Sequence, residues 1–440
     1  MFCQILDHNY SRIFSPTFEV KQLLRVKHKH WSNWKKAFEF NDIDFIDATT
    51  GSILTGLVPH IQSKIDLVVQ SDARQFPVVE FREPQLQISA RPYQIEYILA
   101  ALKRMRMIVH ATTGSGKTFM MAALMDIIGL DALVMVPNKT LEAQVATELE
   151  KILPKERPYK YEIGIPRNFH KWSIYNLQAY PVLIADECHS YAADQAKQVI
   201  LAQAAPFRFG FTGTPVGRSD GRDLDVQGLF GEIVKLIEPS TLVEQGYIAP
   251  TQVDLYHANW EGDFPLMEKV FIVENEKRNN LILEIVNQFK KQSILILVRR
   301  IDHGERLQRA IPHSVFVQGN VSGEDRERIR EDVKSGRTRI LIASNVFAAG
   351  LDIPNLGVGI NAGGGKAEIL TGQKSGRLMR PWEGMCKKWI DIYDAYHPTM
   401  EQHSRERYRI YKNAALPIDF IGFTEAKQLR LKEEIKVEDQ

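Results

Sequence analysis

At 440 residues the chain is too long for one ordinary hydrophobic core, and two or three domains are expected. Lys and Arg number 56 against 54 Asp and Glu, so a uniformly basic nucleic-acid coat is excluded and any basic surface must be local. Cys3, Cys188 and Cys386 lie far apart without metal-ligand spacing, and no apolar run reaches the ~18 residues of a membrane span, so a soluble chain in a reducing compartment is expected.

Residues 1–8 lack the basic and apolar regions of a secretory signal, and no nucleotide motif occurs before about residue 88. Lys21, Arg25, Lys27, Lys29, Lys35 and Lys36 form a basic run with His28, His30, Trp31 and Trp34 among them and no acid. Positive charge interleaved with aromatics suits phosphate contacts and base stacking, with Lys27 and Lys29 as candidates. A solvated helix face carrying two core tryptophans accounts for the same run. Thr49-Thr50-Gly51-Ser52 predicts a turn. Residues 1–88 are therefore expected to be a small N-terminal α+β domain.

Arg91-Pro92-Tyr93-Gln94 opens an apolar-periodic segment at 95–105, a helix with proline in its first turn. From there to about residue 248, strands are predicted at 107–110, 132–136, 182–185 and 207–211, with helices at 117–128 and 140–153. This alternation predicts a parallel sheet covered on both faces. Gly246 and Pro250 mark a hinge, and the α/β pattern repeats over 249–440. Its strands are expected at 252–257, 293–298, 315–317, 339–343, 358–361 and 389–393. Its helices are expected at 279–291, 304–310, 324–335 and 373–380, followed by helical segments at 401–409 and 425–436. The chain thus predicts two tandem α/β domains after the N-terminal one.

The first strand of the first α/β domain runs into Ala111, then Thr112-Thr113-Gly114-Ser115-Gly116-Lys117-Thr118, then a helix. This is the spacing of a phosphate-binding loop, with Ala111 in place of its first glycine. Gly114 and Gly116 let backbone N–H groups of the loop, with Thr113 and Ser115, turn inward around phosphate oxygens. Lys117 can reach the β- and γ-phosphates, and the Thr118 hydroxyl can hold Mg²⁺. Asp186 and Glu187 end a buried strand, where an open parallel sheet binds its ligand. Asp186 suits Mg²⁺ and Glu187 suits orienting or deprotonating a water. Thr212 and Thr214 flank a turn after another strand and can relay the state of the pocket through His189. In the second α/β domain, Gly350 suits close backbone approach, Asp352 a ribose hydroxyl, and Arg377 and Arg380 share one helix face. Each motif alone also fits a plain turn, strand end or surface helix.

The ordered set 91–94, 111–118, 136–140, 186–189, 212–215, 344–352 and 373–380 resembles the motif series of superfamily 2 helicases. The resemblance implies two tandem RecA-like parallel-sheet lobes, residues 89–248 and 249–440, behind the small domain of residues 1–88. It implies ATP and Mg²⁺ as cofactors, with Arg91 and Gln94 framing the adenine. Lys117 and Thr118 would bind phosphate and metal, Asp186 and Glu187 would drive hydrolysis, and Gln373, Arg377 and Arg380 would act from the second lobe. Pro137, Lys139, Thr140, Arg299 and Ser344 sit where that family touches nucleic-acid phosphates. A closer likeness is to phage branch-migrating helicases of the UvsW type, carried by Asp186-Glu187-Cys188-His189, by 31–38 with 51–59, and by 229–234 with 244–247. It implies DNA-dependent ATP hydrolysis and remodelling of forks, four-way junctions and R-loops, in the host cytoplasm if the chain is phage-encoded. The motifs leave open an RNA helicase and the motor subunit of a restriction or repair nuclease. The short span from Asn361 to Gln373 leaves little room for a strand-separating hairpin there.

Overall fold

Runs of Met, Ile, Val, Leu and Phe buried on both faces build the two large sheets of the protein. The computed structural model describes residues 1–440 apart from 33–36, 113, 217, 219, 261–268, 319–320, 322, 345–354, 366–386, 414–415 and 439–440. Backbone proximity divides the chain into two units, Met1–Thr112 with Gly116–Ile237, and Glu238–Gln440 with Thr113–Ser115.

The first unit begins with a four-stranded sheet of β1 (Phe2–Ile5), β2 (Tyr10–Phe14), β5 (Ser52–Leu54) and β6 (Val68–Asp72), in the order β5-β2-β1-β6. The expected turn at 49–52 is present. The Asp47 carboxylate accepts the N–H groups of Thr49 and Thr50, and Gly51 has φ +69°. The basic run is not a helix face. Residues 25–32 form strand β3 (Arg25–Ser32), paired antiparallel with β4 (Ala37–Asp44) as a separate two-stranded ribbon. A period of two explains this: Arg25 and Lys27 point outward while Val26 and His28 are half-buried.

The second sheet of this unit is parallel throughout, ordered β12-β7-β11-β10-β8-β9. Its members are β7 (Arg106–His110), β8 (Ala132–Met135), β9 (Tyr161–Gly164), β10 (Val182–Asp186), β11 (Phe207–Thr212) and β12 (Ile233–Val234). Every residue of β8, β10 and β11 is buried, which is why these strands read as unbroken apolar runs. The helix Lys117–Ile128 is buried along nearly its whole length and stops at Gly129, in the left-handed region at φ +67°.

The N-terminal sheet and this lobe share one core: Cys3, Ile13, Val20 and Leu57 cluster with Leu133, Leu183 and Phe230. Two buried arginines at the starts of β7 and β11 reinforce the join. Arg106 donates to the carbonyl of His8, and Arg208 to Asn9 Oδ1 at 2.5 Å. The connecting segment is tied down at Asp126, which takes Arg82 Nη2 at 2.6 Å and the N–H of Gln85 at 2.7 Å.

The second unit is a seven-stranded parallel sheet ordered β15-β16-β14-β17-β18-β13-β19. Its members are β13 (Thr251–Ala258), β14 (Ile294–Val298), β15 (Ser314–Val317), β16 (Ile340–Ser344), β17 (Val358–Asn361), β18 (Lys387–Asp394) and β19 (Ile418–Ile421). Its interior holds a buried ion-pair network: Arg278 with Asp394 at 2.8 Å, and Arg407 with Asp391 at 2.9 Å and with Asp394 at 3.9 Å.

Candidate functional site

At the start of the helix Pro92–Arg104, Gln94 reaches back and its Oε1 accepts the N–H of Arg91 at 2.9 Å. Gln94 is buried and lies against the glycine loop, where a Cβ on Gly116 would overlap its Nε2. Gly114 at φ +86° and Gly116 at φ +80° hold the loop in the left-handed region, and Ser115 is fully buried beneath it. A side chain at 116 has neither the backbone freedom nor the room, so glycine is required there.

Lys117, first residue of the helix Lys117–Ile128, reaches across to Glu187 Oε1 at 2.8 Å. Asp186 closes β10, and its Oδ1 accepts the N–H of Glu187 at 3.0 Å. Glu187 adopts φ +48°, a left-handed backbone that turns its carboxylate back toward the loop. Behind it, His189 Nδ1 and Thr212 Oγ1 lie 2.6 Å apart, Thr212 Oγ1 is 3.4 Å from Glu187 Oε2, and Thr214 N–H donates to Thr212 Oγ1 at 3.1 Å. Lys117, Asp186, Glu187, His189, Thr212 and Thr214 are thus one bonded set at the carboxyl ends of β7, β10 and β11.

Burial lifts the Asp186 carboxyl to about 6, against the pull of Lys117. For Glu187 burial also works upward, but Lys117 and His189 outweigh it and hold the carboxyl below its usual range. Lys117 is raised: burial opposes its charge, and the Glu187 and Asp186 carboxylates more than offset that. Burial keeps His189 below its usual value.

This donor set fits a nucleotide phosphate with a divalent cation. Lys117 is a cation of the kind that phosphate oxygens take, and Thr118 Oγ1 and Asp186 are hard oxygen donors that would suit Mg²⁺. Asp186, lifted by burial, is a carboxylate short of positive charge. Glu148, which the sequence did not single out, accepts the Thr118 hydroxyl at 2.8 Å and Gln144 Nε2 at 3.2 Å. It lies 30 residues from Thr118, and no local pattern connects the two.

Of the expected nucleic-acid contacts, Pro137 and exposed Lys139 lie at the start of the helix Lys139–Ile152, capped by Asn138. Val298 pairs with Ser344, so Arg299 and Ser344 share the carboxyl edge of the second sheet, Arg299 exposed and Ser344 buried. Lys27 is exposed on β3 opposite Asp42, and Arg25 bonds Asp44 at 2.7 Å, so acids on β4 face these two members of the basic run. Thr113, Gly350, Asp352, Gln373, Arg377 and Arg380 lie outside the described residues, as do the side chains of Lys29 and Thr140.

Two family models match the chain: the type III restriction enzyme, res subunit, over residues 87–174 and 167–217, and the helicase conserved C-terminal domain over residues 276–381. The chain is 23% identical over 352 residues to a protein named putative DNA 3'-5' helicase Rad25 from Halobacterium salinarum, covering 74% of this chain and 57% of that one. It is 23% identical over 362 residues to the ATP-dependent DNA helicase uvsW of Enterobacteria phage T4, covering 73% and 72%. The chain thus spans little more than half the length of the Halobacterium relative. Among solved structures, the ATP-dependent Type ISP restriction-modification enzyme LlaBIII bound to DNA superposes over 84% of this chain and 34% of that one, with TM-score 0.59 and 13% identity. That likeness concerns the fold, two RecA-like parallel-sheet lobes in tandem.

Proposed function

We propose that this chain, a superfamily 2 helicase with relatives of the UvsW type, is an ATP-driven DNA translocase that remodels branched DNA: forks, four-way junctions and R-loops. The observation that carries the reading is the bonded set running from Lys117 through Glu187 to His189 and Thr212. A resting binding module has no use for a carboxylate held against the phosphate lysine and tied to a buried histidine–threonine pair.

In this reading Arg91 and Gln94 frame the base while the loop N–H groups of Gly114, Ser115 and Gly116 take phosphate oxygens. Lys117 exchanges Glu187 for the β- and γ-phosphates. Mg²⁺, held by Thr118 and Asp186, would neutralise developing phosphate charge when bound. Glu187, released from Lys117, orients and deprotonates the attacking water, and Thr212 and His189 register the change. The family resemblance assigns Gln373, Arg377 and Arg380 to stabilising the transition state, and Gly350 and Asp352 to the nucleotide. Pro137, Lys139, Thr140, Arg299 and Ser344 track one strand through its phosphates, and the ribbon carrying Lys27 and Lys29 meets the duplex side of the branch. A two-stranded ribbon has the dimensions of a major-groove reader.

The test is an unwinding assay on a four-way junction beside a fork and a linear duplex, with ATP varied and single-stranded RNA as competitor. ATP-dependent resolution of junction and fork, with the linear duplex left intact, is expected. Stronger ATPase stimulation by RNA than by any DNA would overturn the reading in favour of an RNA helicase. Cutting of labelled DNA in Mg²⁺ would point instead to a nuclease motor.

A further inference from the structure

The N-terminal ribbon touches the lobe at a place that leads directly to the hydrolytic set. Beyond Thr214, the N–H of Gly221 donates to the Arg218 carbonyl at 3.2 Å, the closing bond of a turn. Gly221 has φ +69°, and a Cβ added there would lie 3.3 Å from Val26 Cγ1 and 3.5 Å from His28 Cβ, both on β3. The turn is thus pressed against the inner face of the ribbon. Arg218, mostly buried, reaches the other way and donates Nη1 to the carbonyl of His189. Its remaining fork holds Asp220, with Nε to Oδ1 at 2.8 Å, and Asp220 Oδ1 also accepts the N–H of Arg222 at 3.1 Å. The base of the turn is fixed by Arg218 N–H to Asp223 Oδ1 at 3.2 Å.

The geometry points to Arg218 as a positioning residue that couples ATP hydrolysis to the N-terminal ribbon, and so to the duplex side of a branched DNA. This rests on the functional reading above, in which the ribbon meets DNA. One guanidinium spans two bodies: His189, bonded to Thr212 beside Glu187, and the turn that lies against the ribbon. A planar fork is suited to this because its two edges are rigidly linked. When Lys117 leaves Glu187 for phosphate, the Glu187–Thr212–His189 contacts rearrange, and the His189 carbonyl draws Arg218 and the turn with it. By linkage, loading the ribbon with DNA biases His189 by the same free energy. Gly221 suits the contact: its φ of +69° is strained for a residue with a side chain, and a Cβ there would sit tightly against Val26 Cγ1 at 3.3 Å. Arg218 touches neither nucleotide nor DNA.

The test compares ATP hydrolysis with and without saturating forked DNA, together with fork affinity by fluorescence anisotropy and melting temperature, in wild type, Arg218→Lys, Asp220→Asn and Val26→Ala. Lysine keeps the charge but cannot hold both partners; Asp220 is partly exposed, so its replacement by asparagine releases the far end of Arg218 without a core defect. The ratio of stimulated to basal rate is expected to fall about tenfold in Arg218→Lys, within the usual range of coupling energies. Fork affinity measured without nucleotide, KM for ATP without DNA and melting temperature should stay at wild-type values. Asp220→Asn and Val26→Ala should lower the same ratio, and combining either with Arg218→Lys should add nothing. Full stimulation in Arg218→Lys and Asp220→Asn, or losses that multiply in the double variants, would overturn the inference. A wild type that DNA does not stimulate would overturn the functional reading, and this coupling with it.

Discussion

Replacing Glu187 by glutamine should separate binding from chemistry in opposite directions. Lys117 Nζ sits 2.8 Å from Glu187 Oε1, with each side chain 12% exposed. A hydrogen bond between charged groups contributes about 1.5–3 kcal/mol, and phosphate must displace this one to capture the lysine. Glutamine keeps the shape and an acceptor oxygen but loses the charge. Releasing roughly half of that interaction, about 1 kcal/mol, tightens ATP about fivefold. The same change removes the base, and a positioned general base contributes about 10²–10⁴ in rate. Calorimetric titration with ATP and single-turnover hydrolysis, both on Glu187→Gln and wild type, measure the two effects. ATP binding weaker than wild type, together with turnover within tenfold of wild type, would refute the reasoning.

Three further outcomes are expected. Gly116→Ala forces a Cβ into the left-handed region, at about 1–2 kcal/mol, and into Gln94 Nε2; an ATP titration should show at least tenfold weaker binding with fork affinity unchanged. Asp394→Ala leaves the Arg278 guanidinium buried and without its carboxylate, at about 3–5 kcal/mol, so urea denaturation should show the second unit unfolding at much lower denaturant. His303 is fully buried against Asn279, and burial pushes its imidazole down to about 3. The unfolded chain takes up that proton near 6.5, so the stability present above 6.5 is lost as pH falls toward 3, by up to about 1.4 kcal/mol per pH unit. Urea midpoints at pH 7.5 and pH 5 should fall further apart in wild type than in His303→Gln.

The lobes were legible because their physics is local. An all-buried parallel strand such as β10 must be a run like Val-Leu-Ile-Ala, and the loop at 111–118 must carry glycines where the backbone turns left-handed. The helices expected at 117–128 and 140–153 lie at Lys117–Ile128 and Lys139–Ile152. The N-terminal sheet was harder to read, since its strands are three to five residues long and β1 pairs in parallel with β6 more than 60 residues away. The ribbon was written in the alternation Arg25, Val26, Lys27, His28, but the density of charge masked its period of two. Within the site, the gathering of Lys117, Asp186 and Glu187 followed from motif chemistry, but the bond between Lys117 and Glu187 did not. Glu148 on Thr118 and Arg218 on His189 did not, because each joins residues 29–30 apart that only the tertiary fold brings together.

The central claim is that the Lys117–Glu187 set hydrolyses ATP in response to DNA. Steady-state ATP hydrolysis by wild type and Lys117→Ala, each with and without a forked DNA, tests it most directly. Wild type should be accelerated by the fork, while Lys117→Ala should not turn over yet should bind the fork with wild-type affinity. Turnover by Lys117→Ala at the wild-type rate, or a wild-type rate that DNA leaves unchanged, would contradict it.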